Sequence, residues 1–209
     1  MRVLLVDDHA IVREGLKRVL AGMGEGMQVG EAATAARALQ LVRKADWDCA
    51  LVDIALPGKT GLELLKELRR ERPKLPVLIL SMFPEEQYAI RMLRAGASAY
   101  LNKESAPDQL VNAIRTVLRG GKYLSPQMAT YIASHVGAES TRPAHEALSD
   151  REFTVLRLLA TGVAMRDIAL QLSLSIKTVS TYRSRILVKL NLKNNAQLVA
   201  YAVKNGVAQ

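Results

Sequence analysis

Val3-Leu4-Leu5-Val6-Asp7-Asp8-His9 is the stretch that decides the fold. An unbroken apolar run stops on two acids. A strand with one wet face would alternate, so a continuous run suits a strand buried on both faces of a parallel sheet. The same grammar recurs downstream. Cys49-Ala50-Leu51-Val52 stops on Asp53, Val77-Leu78-Ile79-Leu80 stops on Ser81, and Ala99-Tyr100-Leu101 leads into Asn102-Lys103. A weaker run lies around residues 27–32. Amphipathic segments near 10–21, 34–45, 60–72, 85–95 and 106–119 separate these runs. Strand–helix units repeated in this order make a doubly wound α/β domain over residues 1–120, with right-handed crossovers.

Beyond this domain the pattern changes. Gly120-Gly121 closes a helix, and Ser125-Pro126 opens a short one over 125–136. Residues 137–147 are small and polar, with Pro143, so 121–147 is expected to be a linker carrying one short helix. From Ser149 onward the pattern is helical, near 150–161, 166–172, 176–190 and 195–204. Ser149-Asp150-Arg151-Glu152 fits a capping box, in which the serine caps the helix and the glutamate reaches back. Gly162 closes that helix. A three-residue link between the second and third helices predicts a helix-turn-helix in an all-α, four-helix domain over 148–209.

Composition narrows the classes. The chain has 209 residues, 49% hydrophobic and 23% charged, which is the balance of a folded protein. Aromatic residues make up only 4%, which argues against a β-sandwich and against stacking single-strand binders. The single cysteine, Cys49, excludes an internal disulfide framework and a cysteine-clustered zinc site. His9, His135 and His145 are scattered, and no multi-histidine metal site suggests itself. The first apolar run ends at Asp7, so no signal peptide is expected, and no stretch is long enough for a membrane span. A cytoplasmic location is expected. Net charge is +9. No acid follows Asp167, whereas Lys177, Arg183, Arg185, Lys189, Lys193 and Lys204 do, and this one-signed distribution favours a nucleic-acid face over an ordinary solvated surface.

Ligands of an open parallel sheet bind beyond the carboxyl ends of its strands, at the point where strand order reverses. Asp7 and Asp8 end the first strand, Asp53 the third, Ser81 the fourth, and Lys103 follows the fifth. With strand order 2-1-3-4-5, the three aspartates converge. Three carboxylates at one sheet edge repel each other, and a hard divalent cation such as Mg²⁺ resolves the conflict while bridging to phosphate. Asp53 is then placed to act as a nucleophile toward phosphorus, with Lys103 and the cation neutralising phosphoryl charge and Ser81 hydrogen-bonding an oxygen. Taken singly, each residue has a blander reading: an aspartate that caps a helix, a solvated lysine, a loop hydroxyl, a core tyrosine. Their joint occurrence at the strand ends of one sheet is what points to phosphoryl chemistry.

These residues resemble the receiver domain of two-component response regulators. The resemblance rests on Val6-Asp7-Asp8-His9, on Val52-Asp53-Ile54-Ala55-Leu56-Pro57-Gly58 with Gly61, on Leu80-Ser81-Met82, and on Ala95-Gly96-Ala97-Ser98-Ala99-Tyr100-Leu101-Asn102-Lys103. It implies a flavodoxin-like fold in which Asp53 accepts phosphate from a sensor histidine kinase. It implies that Asp7, Asp8, Asp53 and the Ala55 main-chain carbonyl hold Mg²⁺. Ser81 and Tyr100 would form the switch pair, and Lys103 would pair with the phosphate. Met82 stands where many receivers carry a small residue and is expected to narrow access to Asp53. Leu56 replaces a common methionine at similar volume. Ala55 and Phe83 occupy positions that tune phosphoryl lifetime in the family. A dinucleotide-binding fold is disfavoured, because Asp8-His9-Ala10-Ile11-Val12-Arg13 fills the turn where G-x-G-x-x-G belongs. A phosphatase with paired aspartates is disfavoured too, because Asp53-Ile54-Ala55 lacks the second acid.

On the third helix of the last domain, Val179, Tyr182, Ile186 and Leu190 share one sector at 100° per residue and form the expected buried stripe. Lys177, Thr181, Ser184 and Val188 lie opposite, bordered by Ser180 and Arg185, a polar and basic face suited to a major groove. Leu148 to Glu152, Val155-Leu156, Gly162, Asp167-Ile168-Ala169, Leu172, Ser175 to Val179 and Lys189-Leu190 are similar to the LuxR-type helix-turn-helix. The whole chain thus resembles the NarL/FixJ class of response regulators. That resemblance makes 176–190 the recognition helix, with Lys177, Ser180, Thr181, Ser184 and Arg185 contacting double-stranded DNA. It implies a homodimer on activation, an inverted-repeat operator, a dimer contact from 195–204, and RNA polymerase as a further partner. No enzymatic activity is expected beyond assistance to the receiver's own phosphotransfer and dephosphorylation. Ala164-Met165 departs from the usual capping Ser, Thr or Asn, and Ser180 from a frequent lysine. The alternative is a phosphorylation-independent DNA-binding regulator whose receiver senses a partner.

Overall fold

The computed structural model describes all residues except 25, 83–84, 105, 136–143 and 208–209. Two compact units divide the chain, Met1–Val136 and Gly137–Gln209.

The first unit is built on a parallel sheet of order β2-β1-β3-β4-β5. Its strands are β1 (Arg2–Val6), β2 (Gln28–Ala32), β3 (Cys49–Asp53), β4 (Val77–Ser81) and β5 (Ala99–Asn102). β3 and β4 are buried at every position, as their unbroken apolar runs require. β2 is the half-exposed edge, which is why its apolar signal was weak. The intervening helices are α1 (Ala10–Ala21), α2 (Ala35–Lys44), α3 (Gly61–Glu71), α4 (Glu85–Arg94) and α5 (Ala106–Leu118). One face of the sheet contributes Val3, Leu5, Leu51, Leu78, Leu80 and Leu101 to a core closed by Leu16 and Leu20 of α1 and by Leu110, Ile114 and Val117 of α5. The other face carries α2, α3 and α4, by the alternation of strand side chains.

Helix starts follow local chemistry. Thr34 accepts a hydrogen bond from the Arg37 N–H, and Thr60 forms a full capping box with Glu63. Gly61, in the first turn of α3, lies against β3. A β-carbon there would stand 2.2 Å from the Asp53 carbonyl oxygen, so only glycine permits this approach. Gly120 ends α5 at φ +84°, a left-handed conformation open to glycine at little cost.

The segment read from the sequence as linker is partly absorbed by the first unit. Tyr123 pairs with Ala99 at the sheet edge, its N–H on the Ser98 carbonyl at 2.9 Å. A sixth helix, α6 (Pro126–His135), packs on α4. Ser125 caps it through the Met128 N–H at 3.1 Å and donates its hydroxyl proton to the buried Glu85 carboxylate at the start of α4. Met128 is buried beneath. The short helix was expected. Its docking was not, because it depends on Glu85, forty positions from Ser125.

Among the described residues, the second unit holds a 3-10 turn (Ala144–Ala147) and four helices, α7 (Asp150–Ala160), α8 (Met165–Gln171), α9 (Ile176–Lys189) and α10 (Asn195–Lys204). The expected capping box of Ser149 and Glu152 is present. The link from α8 to α9 runs from Leu172 to Ser175, one residue longer than expected, because Leu172 already leaves the helix as its C-cap. α8 begins at Ala164 with no side-chain cap. The 3-10 turn is anchored to α10: the Tyr201 hydroxyl accepts the His145 backbone N–H at 3.0 Å. No helix among the described residues is long and apolar enough to cross a membrane.

Candidate functional site

The strand registers bring the acids together. β1 lies between β2 and β3, so Asp7, one residue past β1, stands beside Asp53 at the end of β3. Next in line, β4 ends in Ser81, and the Lys103 N–H bonds the Ser81 carbonyl at 2.7 Å, which carries the lysine back over the sheet edge. Lys103 Nζ lies 2.7 Å from Asp7 Oδ2 and 3.0 Å from Asp53 Oδ1. Its side chain is only 10% exposed, so it is an ion-paired group and not a solvated lysine. Asp7 and Asp53 are each 1% exposed, whereas Asp8 faces solvent.

The simple capping reading of Asp7 and Asp8 does not hold. The N-cap of α1 is His9, and no side chain caps that helix. Instead, Asp7 Oδ1 accepts the His9 backbone N–H at 2.8 Å, and Arg13 Nη1 donates to the Asp7 carbonyl at 2.7 Å. The same guanidinium bonds Glu31 through Nε at 2.9 Å, which ties α1 to β2 behind the site.

Two buried carboxylates share one ammonium. Burial pushes the Asp53 carboxyl up most; the Lys103 charge pulls it down, Asp7 pushes it up, and hydrogen bonds from Lys103 and the Ala55 N–H pull it down. The net position is above the ordinary value. Among the described residues, Asp53 Oδ2 is buried and accepts no hydrogen bond. One donor atom each from Asp7, Asp8, His9 and Asp53 fit within 4.8 Å of one another. An excess of buried negative charge, an unused carboxylate oxygen and an open rim at Asp8 suit a hard divalent cation.

Ser81 is fully buried at the end of β4, and Tyr100 is 2% exposed, its ring turned into the molecule. Ala55 sits at the exposed rim. Met82 is 60% exposed, so most of its side chain points to solvent. Leu56 is buried. Phe83 lies outside the described residues. The sequence reading omitted His9 and Arg13 from this constellation. The signal for His9 was its place directly after Asp8 at the same strand end. Arg13 carried none beyond lying one helical turn further on.

In the second unit, Val179 and Ile186 are fully buried, Leu190 nearly so, and Tyr182 is half-buried, as the 100° projection required. Lys177, Thr181, Ser184, Arg185 and Val188 are exposed on the opposite face, with Ser180 partly so. Ser175 caps α9 through the Thr178 N–H at 3.0 Å. Two contacts fix the orientation of α9. Lys189 Nζ reaches the buried Glu152 carboxylate of α7 at 2.6 Å, and Arg183 Nε donates to Asn195 Oδ1 of α10 at 2.5 Å.

The family model of the response regulator receiver domain matches residues 3–115, and that of the luxR family of bacterial regulatory proteins matches residues 146–202. The chain is a response regulator of the NarL/FixJ class. It is 37% identical over 210 residues to the response regulator GacA of Pseudomonas aeruginosa, covering 99% of this chain and 97% of that one. The oxygen regulatory protein NreC of Staphylococcus carnosus is 36% identical over 211 residues, with 98% and 97% covered. Among solved structures, RcsB of Salmonella enterica serovar Typhimurium, bound to promoter P1flhDC in the presence of the phosphomimetic BeF3⁻, has a TM-score of 0.66 at 27% identity, with 98% of each chain covered. This response regulator is therefore a transcription factor with a receiver and a LuxR-type DNA-binding domain.

Proposed function

We propose that transcriptional output of this regulator is switched by phosphorylation of Asp53. The observation that carries the reading is the buried Asp53 carboxylate, paired to Lys103 and grouped with Asp7 and Asp8 at the carboxyl edge of the sheet. An Asp53 oxygen attacks the phosphorus of a phosphohistidine on a sensor histidine kinase. A P–O bond forms as the P–N bond breaks, and the leaving imidazole takes the electron pair and a proton. Asp7, Asp8, Asp53 and the Ala55 carbonyl would hold Mg²⁺, which would neutralise phosphoryl charge when bound. Lys103 opposes the rise that burial imposes on Asp53, which favours its ionised, nucleophilic form, and then pairs with a phosphoryl oxygen. The Ser81 hydroxyl turns to donate to another, and Tyr100, its partner in the switch, rotates inward behind it. The chain assists only its own phosphorylation and dephosphorylation and turns over no separate substrate.

Phosphorylation favours a homodimer, which converts two weak half-site contacts into one avid event on an inverted-repeat operator. Lys177, Ser180, Thr181, Ser184 and Arg185 meet double-stranded DNA, the hydroxyls at base edges and the cations at phosphates. α10 supplies the dimer contact, RNA polymerase is a further partner, and the setting is the cytoplasm.

The test incubates the wild type and Asp53→Asn with a small phosphodonor and Mg²⁺, then measures mass, sedimentation and duplex binding at fixed salt. The wild type alone should gain about 80 Da, one phosphoryl group on an aspartyl oxygen. It should also dimerise and bind operator DNA more tightly. Labelling with no change in assembly or DNA binding would overturn the switch. Equal DNA binding by both proteins without labelling would establish the phosphorylation-independent alternative.

A further inference from the structure

His9 is the member of the acidic cluster that no oxygen-only cation site needs. Its Nδ1 lies 3.2 Å from Asp7 Oδ1 and 3.0 Å from Asp8 Oδ1. Adjacent ligands on an octahedral ion with bonds of about 2.1 Å stand roughly 3 Å apart. At these distances the imidazole pairs directly with both carboxylates, and the same spacing suits neighbouring ligands once a cation takes the place of the proton between them. The ring has no role in starting α1, where no side-chain cap is made. Its backbone is held by the bond from its own N–H to Asp7 Oδ1, and Asp7 in turn by Arg13. Asp53, whose buried Oδ2 accepts no hydrogen bond among the described residues, adds one carboxylate oxygen to a donor set within 4.8 Å.

We propose that His9 Nδ1 is a ligand of the cation site and tilts its selectivity toward borderline first-row divalent ions, such as Mn²⁺ and Ni²⁺, relative to Mg²⁺. This rests on the cation-binding reading of the Asp7–Asp8–Asp53 cluster given above. Mg²⁺ keeps oxygen ligands and water, so an imidazole adds little to its binding. Along the first-row series, nitrogen donors raise affinity increasingly toward Ni²⁺. A cation entering that space displaces the proton between Nδ1 and the carboxylates, and the ring, keeping its proton on Nε2, offers it the Nδ1 lone pair. The phosphate-accepting site is thereby responsive to which divalent ion is abundant.

The experiment titrates the full-length wild type, His9→Ala and His9→Gln with Mg²⁺ and Ni²⁺ by calorimetry. It also records electron spin-echo spectra of the Mn²⁺-loaded proteins, with excess Mg²⁺ as competitor. Circular dichroism checks folding. The wild type should show ¹⁴N coupling to Mn²⁺ that excess Mg²⁺ removes. Both variants should lose that coupling, although His135 and His145 remain. Their Ni²⁺ affinity should fall about tenfold while Mg²⁺ affinity changes less than twofold. Equal losses for both ions, or no loss and no nitrogen coupling in the wild type, would falsify ligation by His9 and leave the carboxylate site standing. Absence of any divalent binding to the wild type would instead overturn the cation reading itself, and this inference with it.

Discussion

Asp53 and Glu152 are both buried carboxylates, and their environments push them in opposite directions. Asp53 stands above its ordinary value of 3.8, because burial and the Asp7 charge outweigh Lys103. A folded-state pKa above the unfolded one penalises the folded chain at neutral pH, and the penalty disappears as the group protonates. Without added divalent ion, Asp53→Asn should therefore be more stable than the wild type at pH 7. The difference should shrink as pH falls through the raised Asp53 value toward about 4. Urea melts at a series of pH values measure this; a difference that grows on acidification would contradict it. Glu152 behaves the other way. Burial raises it, but hydrogen bonds from Lys189 and from the Ser149 N–H and hydroxyl together hold it below the ordinary value. Its contribution is present above the unfolded value of about 4.5 and is lost as pH falls through the folded one.

Helix ends set the next scale. Ser125 links α6 to α4: it both caps α6 and donates to Glu85. Ser125→Ala removes both bonds and should cost about 1–2 kcal/mol. Hydrogen exchange in 126–135 should quicken more than in the strands, because Met128 loses its seat. Uniform quickening across the first unit would argue against a local joint. α8 offers the converse case. Its N-cap, Ala164, already has the extended backbone of a cap, at φ −66° and ψ 144°, without the side-chain bond. Ala164→Ser should stabilise the second unit by about 0.5–1 kcal/mol, read as a higher urea midpoint at unchanged slope. The positions of these helices were legible in the sequence, because caps act over three residues and amphipathic periods over a turn or two. The docking of α6 was not, since it depends on Glu85 and Ser125, forty positions apart.

Over the whole molecule, charge is distributed for an anionic partner. The net charge is +9, and α9 presents an outward face without a single acid. On the proposed reading, Lys177→Ala and Arg185→Ala should each lower the slope of log affinity against log salt by about 1. They should do so alike on operator and unrelated duplex. Thr181→Ala should instead narrow the gap between the two. Filter binding at several salt concentrations distinguishes these outcomes, and an unchanged slope in both basic variants would remove α9 from the interface. The fold was readable from residue order alone, because burial on both faces writes an unbroken apolar run that always stops at the same edge of the sheet. Those stops and their neighbours mark Asp7, Asp8, Asp53, Ser81 and Lys103 in the sequence. The desolvation of Lys103 and its sharing between two carboxylates belong to tertiary structure. Ion pairing and cation ligation depend on distances of a few ångströms between groups far apart in the chain, and only the packed sheet sets those distances.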